Sequence, residues 1–266
     1  MNGQGGWGWR AVKAFTVLVY LFMFAPIAVT VLLSFNPAQF GGFPMEGVTL
    51  RWFWELAAND MVLRALRTSL LIGALSALIC TLLGILAAMA LVRYEFRGKE
   101  WINTLLISPV LIPETVLAVG LLLFLRWLEQ PRSLVLLLLG HVMLTLPFVV
   151  LVVQARLIGI KRVYEEAALS LGANRFQTFR EVTLPLLMPA VLAGILLAFT
   201  ISFDNVTATM FWRPAGVETM PTQIFSMLRN SISPEINALG TLMIVVTVGL
   251  PVIGAALARY VGRGQR

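Results

Sequence analysis

Charge is scarce in this sequence: Asp, Glu, Lys and Arg make up 12% of its 266 residues, against about 25% in an ordinary soluble domain. Apolar residues reach 59%, more than a soluble globular fold carries. A single cysteine, Cys80, lies inside an apolar run, which excludes an intramolecular disulfide and a cysteine-based metal site and leaves a small core residue. The single histidine, His141, makes no metal site, and beside Gly140 it reads as a hydrogen bond across helices rather than a proton relay. The chain also lacks the Gly-x-x-x-x-Gly-Lys-Ser/Thr phosphate loop and any strand-rich region to hold one. It is therefore not expected to be an enzyme, and any energy from ATP must come from elsewhere.

Long apolar runs are what the sequence has. Six can be cut, at approximately 12–33, 68–92, 102–125, 134–154, 186–210 and 237–258, and the mean hydropathy is +0.87. Each run spans the roughly 30 Å of a hydrocarbon core as a helix, so the sequence predicts an all-α polytopic membrane protein with six transmembrane helices. A β-barrel would alternate over ~10 residues instead. An even number of spans puts both termini on one side. Placing that side in the cytoplasm gives 13 Lys/Arg inside and seven outside, the bias of the positive-inside rule. The net charge of +7 is thereby accounted for without nucleic acid.

The uncharged run from Ala14 to Met45 is too long for the h-region of a signal peptide and reads as a retained first helix. Ahead of it, Gly3 to Trp9 reads as a tail, with Trp7 and Trp9 near the headgroups. The connection 34–67, with Pro37, Gly41, Gly42, Pro44 and Trp52-Phe53-Trp54, predicts a loop and a short interfacial helix. The connection 211–236 carries three prolines around an amphipathic stretch, Gln223 to Arg229. Both fall outside the membrane.

The inner connection, 155–185, is charged and helix-forming. Gly172 is placed to end one helix in the left-handed conformation, and Asn174 with Gln177 makes a capping box for the next. The product is a short helix-turn-helix whose tip exposes Ala167 and Ala168 beside Leu169 and Leu171.

Glu166-Ala167-Ala168, then Gly172, Val182 and Leu184-Pro185, resembles the EAA signature of permease subunits of binding-protein-dependent ABC importers. The resemblance implies the type I importer permease (MetI-like) fold, one transmembrane domain over 1–266, with 155–185 as a coupling segment that docks on an ATPase subunit. Glu166, Ala167, Ala168, Gly172 and Pro185 are the coupling residues it implies. The implied partners are a homologous permease, two ATP-binding subunits that hold ATP and Mg, and an extracytoplasmic substrate-binding protein. No cofactor is expected on this chain. The implied location is a bacterial inner membrane, with both termini cytoplasmic.

Ionisable groups inside spans are costly and mark a pathway or a pair. Two acids qualify, Glu114 and Asp204, and beyond Lys13 at the very start of the first run no Lys or Arg lies in any of the six to neutralise them. That net −2 favours a cationic cargo and repels an anion. Thr200, Asp204 and Thr207 recur at helical spacing, predicting one polar face. Phe211 and Trp212 read either as faces for an ammonium or as an interfacial belt, the belt being preferred for Trp212. Asp204 alternatively hydrogen-bonds to a neighbouring helix. Pro109 and Pro113 predict a break near the start of the third span, with Glu114 in a gate.

Over nearly its whole length the chain resembles the spermidine/putrescine permeases within that family. The residues that carry this are Ser34-Phe35-Asn36, Tyr94 to Lys99, Leu146 to Val150, Ser202-Phe203-Asp204-Asn205 and Ser233 to Leu239. A polyamine cargo is implied, with an opine, γ-aminobutyrate or another small amine as the alternative. Asn205 stands where that group often has a second acid, one charge fewer for a multiply charged cargo. The rival class is a stand-alone ion-coupled carrier, against which the absence of a visible inverted repeat counts.

Overall fold

The computed structural model describes residues 6–38, 42, 44–230 and 234–263; Gly3, Gly41 and Ser233, named above, lie outside them. Along the chain run α1 (Trp7–Leu33), α2 (Arg51–Ala58), α3 (Asp60–Arg93), α4 (Lys99–Leu111), α5 (Glu114–Trp127) and α6 (Leu134–Ile158). They are followed by α7 (Val163–Ser170), α8 (Arg175–Thr178), α9 (Leu184–Phe203), α10 (Thr207–Trp212), α11 (Met220–Asn230) and α12 (Glu235–Arg263). A π-helical turn, Phe179–Thr183, joins α8 to α9. Among the described residues there is no strand. Five helical runs are long and apolar enough to cross a membrane, and the bent pair α4–α5 makes a sixth when counted as one span.

Several boundaries differ from those read in the sequence. Trp7 and Trp9 belong to α1 rather than to a tail, because nothing between Trp7 and Leu33 interrupts the helix except Pro26, which leaves it unbroken. The third helix starts at Asp60, well before residue 68, with an acid in its first turn and Arg93 in its last, each on the favourable end of the helix dipole. The segment 175–203 is one continuous helical run, so the second arm of the helix-turn-helix leads straight into a span. The break at the end of α9 falls at 204–206, so Thr200, Asp204 and Thr207 do not share one helix face.

The chain divides into two compact units, Met1–Leu63 with Ile224–Ile244, and Arg64–Gln223 with Val245–Arg266. In the first, α2 is pinned to the loop before it. Trp52 is buried and donates its indole N–H to the Asn36 carbonyl at 2.8 Å, while the Phe35 and Phe53 rings lie 5.4 Å apart. Of the Trp52-Phe53-Trp54 cluster only Trp54 is exposed.

In the second unit α6 is the central element, flanked by α3 and α9. Val149 fits between Gly84 of α3 and Gly194 of α9, at both of which a Cβ would press on its side chain. Small residues at helix crossings allow this close approach, which dispersion rewards where lipid is as apolar as the protein. Cys80, Val153, Leu157 and Leu187 belong to the same core. The Cys80 thiol lies 2.9 Å from the Thr145 hydroxyl, and that hydroxyl donates to the His141 carbonyl at 2.8 Å. A second cluster holds Ile72, Ala118, Leu137, Ala208 and Trp212.

Candidate functional site

Two regions of the second unit concentrate polar side chains. The first is the elbow between α7 and α8. Gly172 has φ +90°, and the Gly172 and Ala173 amides donate to the Leu169 and Ala168 carbonyls at 3.0 and 3.1 Å. This is a Schellman closure, and it needs a residue free of a Cβ penalty at that φ. Asn174 and Gln177 then make the capping box, at 2.8 and 2.9 Å. Glu166 and Ala167 are exposed, and Ala168 is half-buried. Leu171 and Phe176 are 89% and 69% exposed, an apolar surface at a polar elbow. Pro185 sits apart from this tip, in the first turn of α9.

Residues that sequence reasoning passed over fix the elbow. The Arg93 guanidinium pairs with Glu165 at 3.0 Å, with side chains only 8% and 16% exposed. It also donates to the Ile160 carbonyl at 3.0 Å, and the Thr183 hydroxyl donates to Glu165 at 3.0 Å. Arg162 answers in the other direction, donating to the Val92 and Arg93 carbonyls at 3.1 and 3.2 Å. The end of α3, the start of α7 and the π-helical turn are thus tied at one carboxylate, beside a cavity of about 390 Å³. A basic residue closing a long apolar helix, and a second acid beside Glu166, were the signals available.

The second region lies where two spans break. Pro109 and Pro113 flank a turn of 110° between α4 and α5, and Ile112 is extended there. Glu114 opens α5. Its Oε1 accepts from the Asn205 side-chain amide at 2.6 Å and from the Ala208 backbone N–H at 3.3 Å. Asn205 sits in the second break, between α9 and α10. Asp204 caps α9, and its Oδ1 accepts from the Thr247 hydroxyl of α12 at 2.8 Å. Both carboxylates therefore have neutral partners, and neither takes part in an ion pair among the described residues.

Glu114 and Asn205 line one cavity of about 480 Å³ with Pro109, Pro113, Leu144 and Phe148. Asp204, Thr200, Phe211 and Trp212 do not line it. Trp212 differs most from its expected setting. It is 1% exposed, its indole N–H donates to the Ala118 carbonyl at 2.8 Å, and its ring lies against Gly140. A residue so enclosed is no interfacial belt; it fills the space that the absent side chain of Gly140 leaves. Phe211 packs partly buried against the same cluster. His141 is fully enclosed, with Nδ1 2.7 Å from the Ser202 hydroxyl and Nε2 3.0 Å from that of Thr209.

Apolar spans, two of them interrupted at an acid that forms no ion pair among the described residues, with a cavity beside Glu114, define a membrane-embedded transport subunit. Residues 80–266 match the family of binding-protein-dependent transport system inner membrane components, and the chain belongs to that family. It is 37% identical over 251 residues to the spermidine/putrescine transport system permease protein PotC of Escherichia coli K12, covering 94% of this chain and 95% of that one. It is 35% identical to the putrescine transport system permease protein PotI of the same organism, over 89% and 85%. Among solved structures, a bacterial ABC transporter involved in the import of the acidic polysaccharide alginate superposes with a TM-score of 0.76 at 17% identity, over 96% of both chains. The MetNI methionine ABC transporter gives 0.61 at 18%, over 80% of this chain and 99% of that one. The fold is that of ABC importer permeases, as the EAA resemblance implied.

Proposed function

We propose that this chain is the permease of an ABC importer that carries a cationic amine of the spermidine or putrescine type into the cytoplasm. One observation carries the cargo class: Glu114 and Asp204, at the breaks of two spans, are held by an amide, a backbone N–H and a hydroxyl rather than by a cation. Leaving a carboxylate uncompensated in a membrane costs roughly 2.5–3.5 kcal/mol on insertion scales. A passing ammonium offsets that cost, whereas an anion adds to it. The relatives named for spermidine and putrescine support the same cargo.

In this reading the whole chain works as one transmembrane permease domain beside a homologous permease. Its α7–α8 elbow faces an ATP-binding subunit, with Glu166, Ala167, Ala168 and Gly172 at the contact and Pro185 fixing the return into the membrane. An extracytoplasmic binding protein delivers the cargo, and ATP and Mg stay on the two motor subunits. Both termini are cytoplasmic, which puts the basic side of the charge bias inside. Exposed Leu171 and Phe176 support the elbow as a protein contact, since apolar surface among charged residues is normally covered.

The test is uptake of labelled putrescine and spermidine by the complete complex reconstituted in vesicles. Glu114→Gln and Asp204→Asn are expected to lower uptake while the subunits still co-purify. Uptake unchanged in both variants removes the pathway assignment. Competition by γ-aminobutyrate or an opine, with none by putrescine, assigns a different amine.

A further inference from the structure

His141 is the one histidine of the chain, and the site described above does not use it. It is 1% exposed and does not line the cavity, and each of its ring nitrogens faces a hydroxyl. The Thr209 hydroxyl has one proton and directs it to Asn205, at 2.9 Å from the backbone carbonyl and 3.1 Å from Oδ1. Neither of those oxygens can donate in return. With that hydrogen on Asn205 the hydroxyl is free to accept from His141 Nε2, so the assignment that leaves every hydroxyl and ring nitrogen of this group bonded places the imidazole hydrogen on Nε2. Nδ1 is left as an acceptor for the Ser202 hydroxyl. The Thr209 backbone N–H occupies Oδ1 of Asn205 at 3.0 Å, which turns the amide so that Nδ2 faces Glu114.

The whole chain of donors, Ser202 to His141 to Thr209 to Asn205 to Glu114, runs one way and ends on a carboxylate. It crosses α9, α6, α10, the second break and α5, so it ties together the two broken spans that flank the cavity. From this we infer that His141 is a positioning residue: by donating through Nε2 it sets Thr209 and Asn205, and through them aims the Glu114 carboxylate at a cationic amine in the cavity. A reversed imidazole would make Thr209 donate to Nε2 and release its hold on Asn205.

This inference rests on the reading of Glu114 as a pathway carboxylate, so its test separates the two. The readout is equilibrium binding of putrescine to the purified permease–ATPase complex without its binding protein, together with the thermal midpoint of that complex. The amide nitrogen of glutamine reaches the place of Nε2, and the amide of asparagine reaches only that of Nδ1. His141→Gln keeps the donor toward Thr209 and is expected to bind within about twofold of the parent; His141→Asn loses it and is expected to weaken binding about tenfold, the loss of one charge-linked hydrogen bond. A purely structural histidine would move the two thermal midpoints and the two affinities alike. In a Glu114→Gln background the Asn and Gln variants are expected to coincide, since nothing remains to be aimed. Equal affinities of His141→Asn and His141→Gln, or an undiminished difference without Glu114, overturns the positioning role. Parental binding by Glu114→Gln alone overturns the pathway reading instead.

Discussion

Asn205 holds Glu114 from 91 positions away in sequence, its Nδ2 donating to Oε1 at 2.6 Å where two spans break side by side. The contact puts an amide where a second acid would place two carboxylates face to face. Asn205, which lines the same cavity, is thereby a donor to the acid. A hydrogen bond to a charged acceptor is worth roughly 1.5–3 kcal/mol.

Removing that donor should release the carboxylate. Asn205→Ala is expected to weaken putrescine binding about tenfold, since 1.4 kcal/mol is a factor of ten. Asn205→Asp has a different signature. A second carboxylate there adds a negative charge beside Glu114, so the expected outcome is uptake that favours spermidine over monoamines. Binding of putrescine and uptake of spermidine against a monoamine check both; parental behaviour of Asn205→Ala would show that the amide is incidental.

Arg93 and Glu165 pair at 3.0 Å with little exposure, so breaking the pair from one side strands a charge. Such losses run to about 3–5 kcal/mol when the pair is buried, and somewhat less at this residual exposure. Glu165→Gln should lower the thermal midpoint of the complex and reduce the amine transported per ATP, because the start of α7 loses its tie to α3. The exchange Arg93→Glu with Glu165→Arg should recover part of both. Two single variants with parental coupling would mean that this tie carries no motion.

The elbow was legible residue by residue, because Gly172, Asn174 and Gln177 act through their own neighbours and their spacing states the geometry. The six apolar runs were legible for the same reason, as was the break at Pro109 and Pro113. What escaped were consequences of packing. Thr200, Asp204 and Thr207 match helical spacing, but α9 ends at Phe203 and the pattern continues through a break that no proline or glycine announces. Trp212 has the composition of an interfacial residue, and only its fit against Gly140, 72 positions earlier, puts it inside. Arg93 and Glu165 are ordinary charges until the fold closes the distance between them.

That fit makes Gly140 and Trp212 a coupled pair. A Cβ at Gly140 would occupy the place of the indole ring. Overpacking of this kind costs typically 1–3 kcal/mol, about the range for a rigid neighbour that must shift. Gly140→Ala is expected to lower the thermal midpoint in detergent, and the indole that yields is expected to loosen its bond to the Ala118 carbonyl. Trp212→Leu placed on top should cost less than in the parent, since the smaller side chain leaves room for the new methyl. Strict additivity of the two changes would contradict the fit.

Gly172 offers the sharpest test of the elbow, because its constraint is conformational and nothing else. At φ +90° a Cβ would meet no atom within 4 Å, so Gly172→Ala introduces strain without a clash. Left-handed backbone costs an L-residue roughly 1–2 kcal/mol, and asparagine tolerates it better than alanine. If the elbow couples to an ATP-binding subunit as proposed, that strain should appear as a changed angle between α7 and α8 rather than as unfolding. The expected order of ATP hydrolysis stimulated by loaded binding protein is therefore parent, Gly172→Asn, then Gly172→Ala, with assembly retained in all three. A Gly172→Val variant, β-branched at a position of positive φ, should uncouple fully. If stimulation is the same in the alanine and valine variants as in the parent, the angle of the elbow does not transmit the motor's work, and the docking surface must be sought elsewhere on the chain.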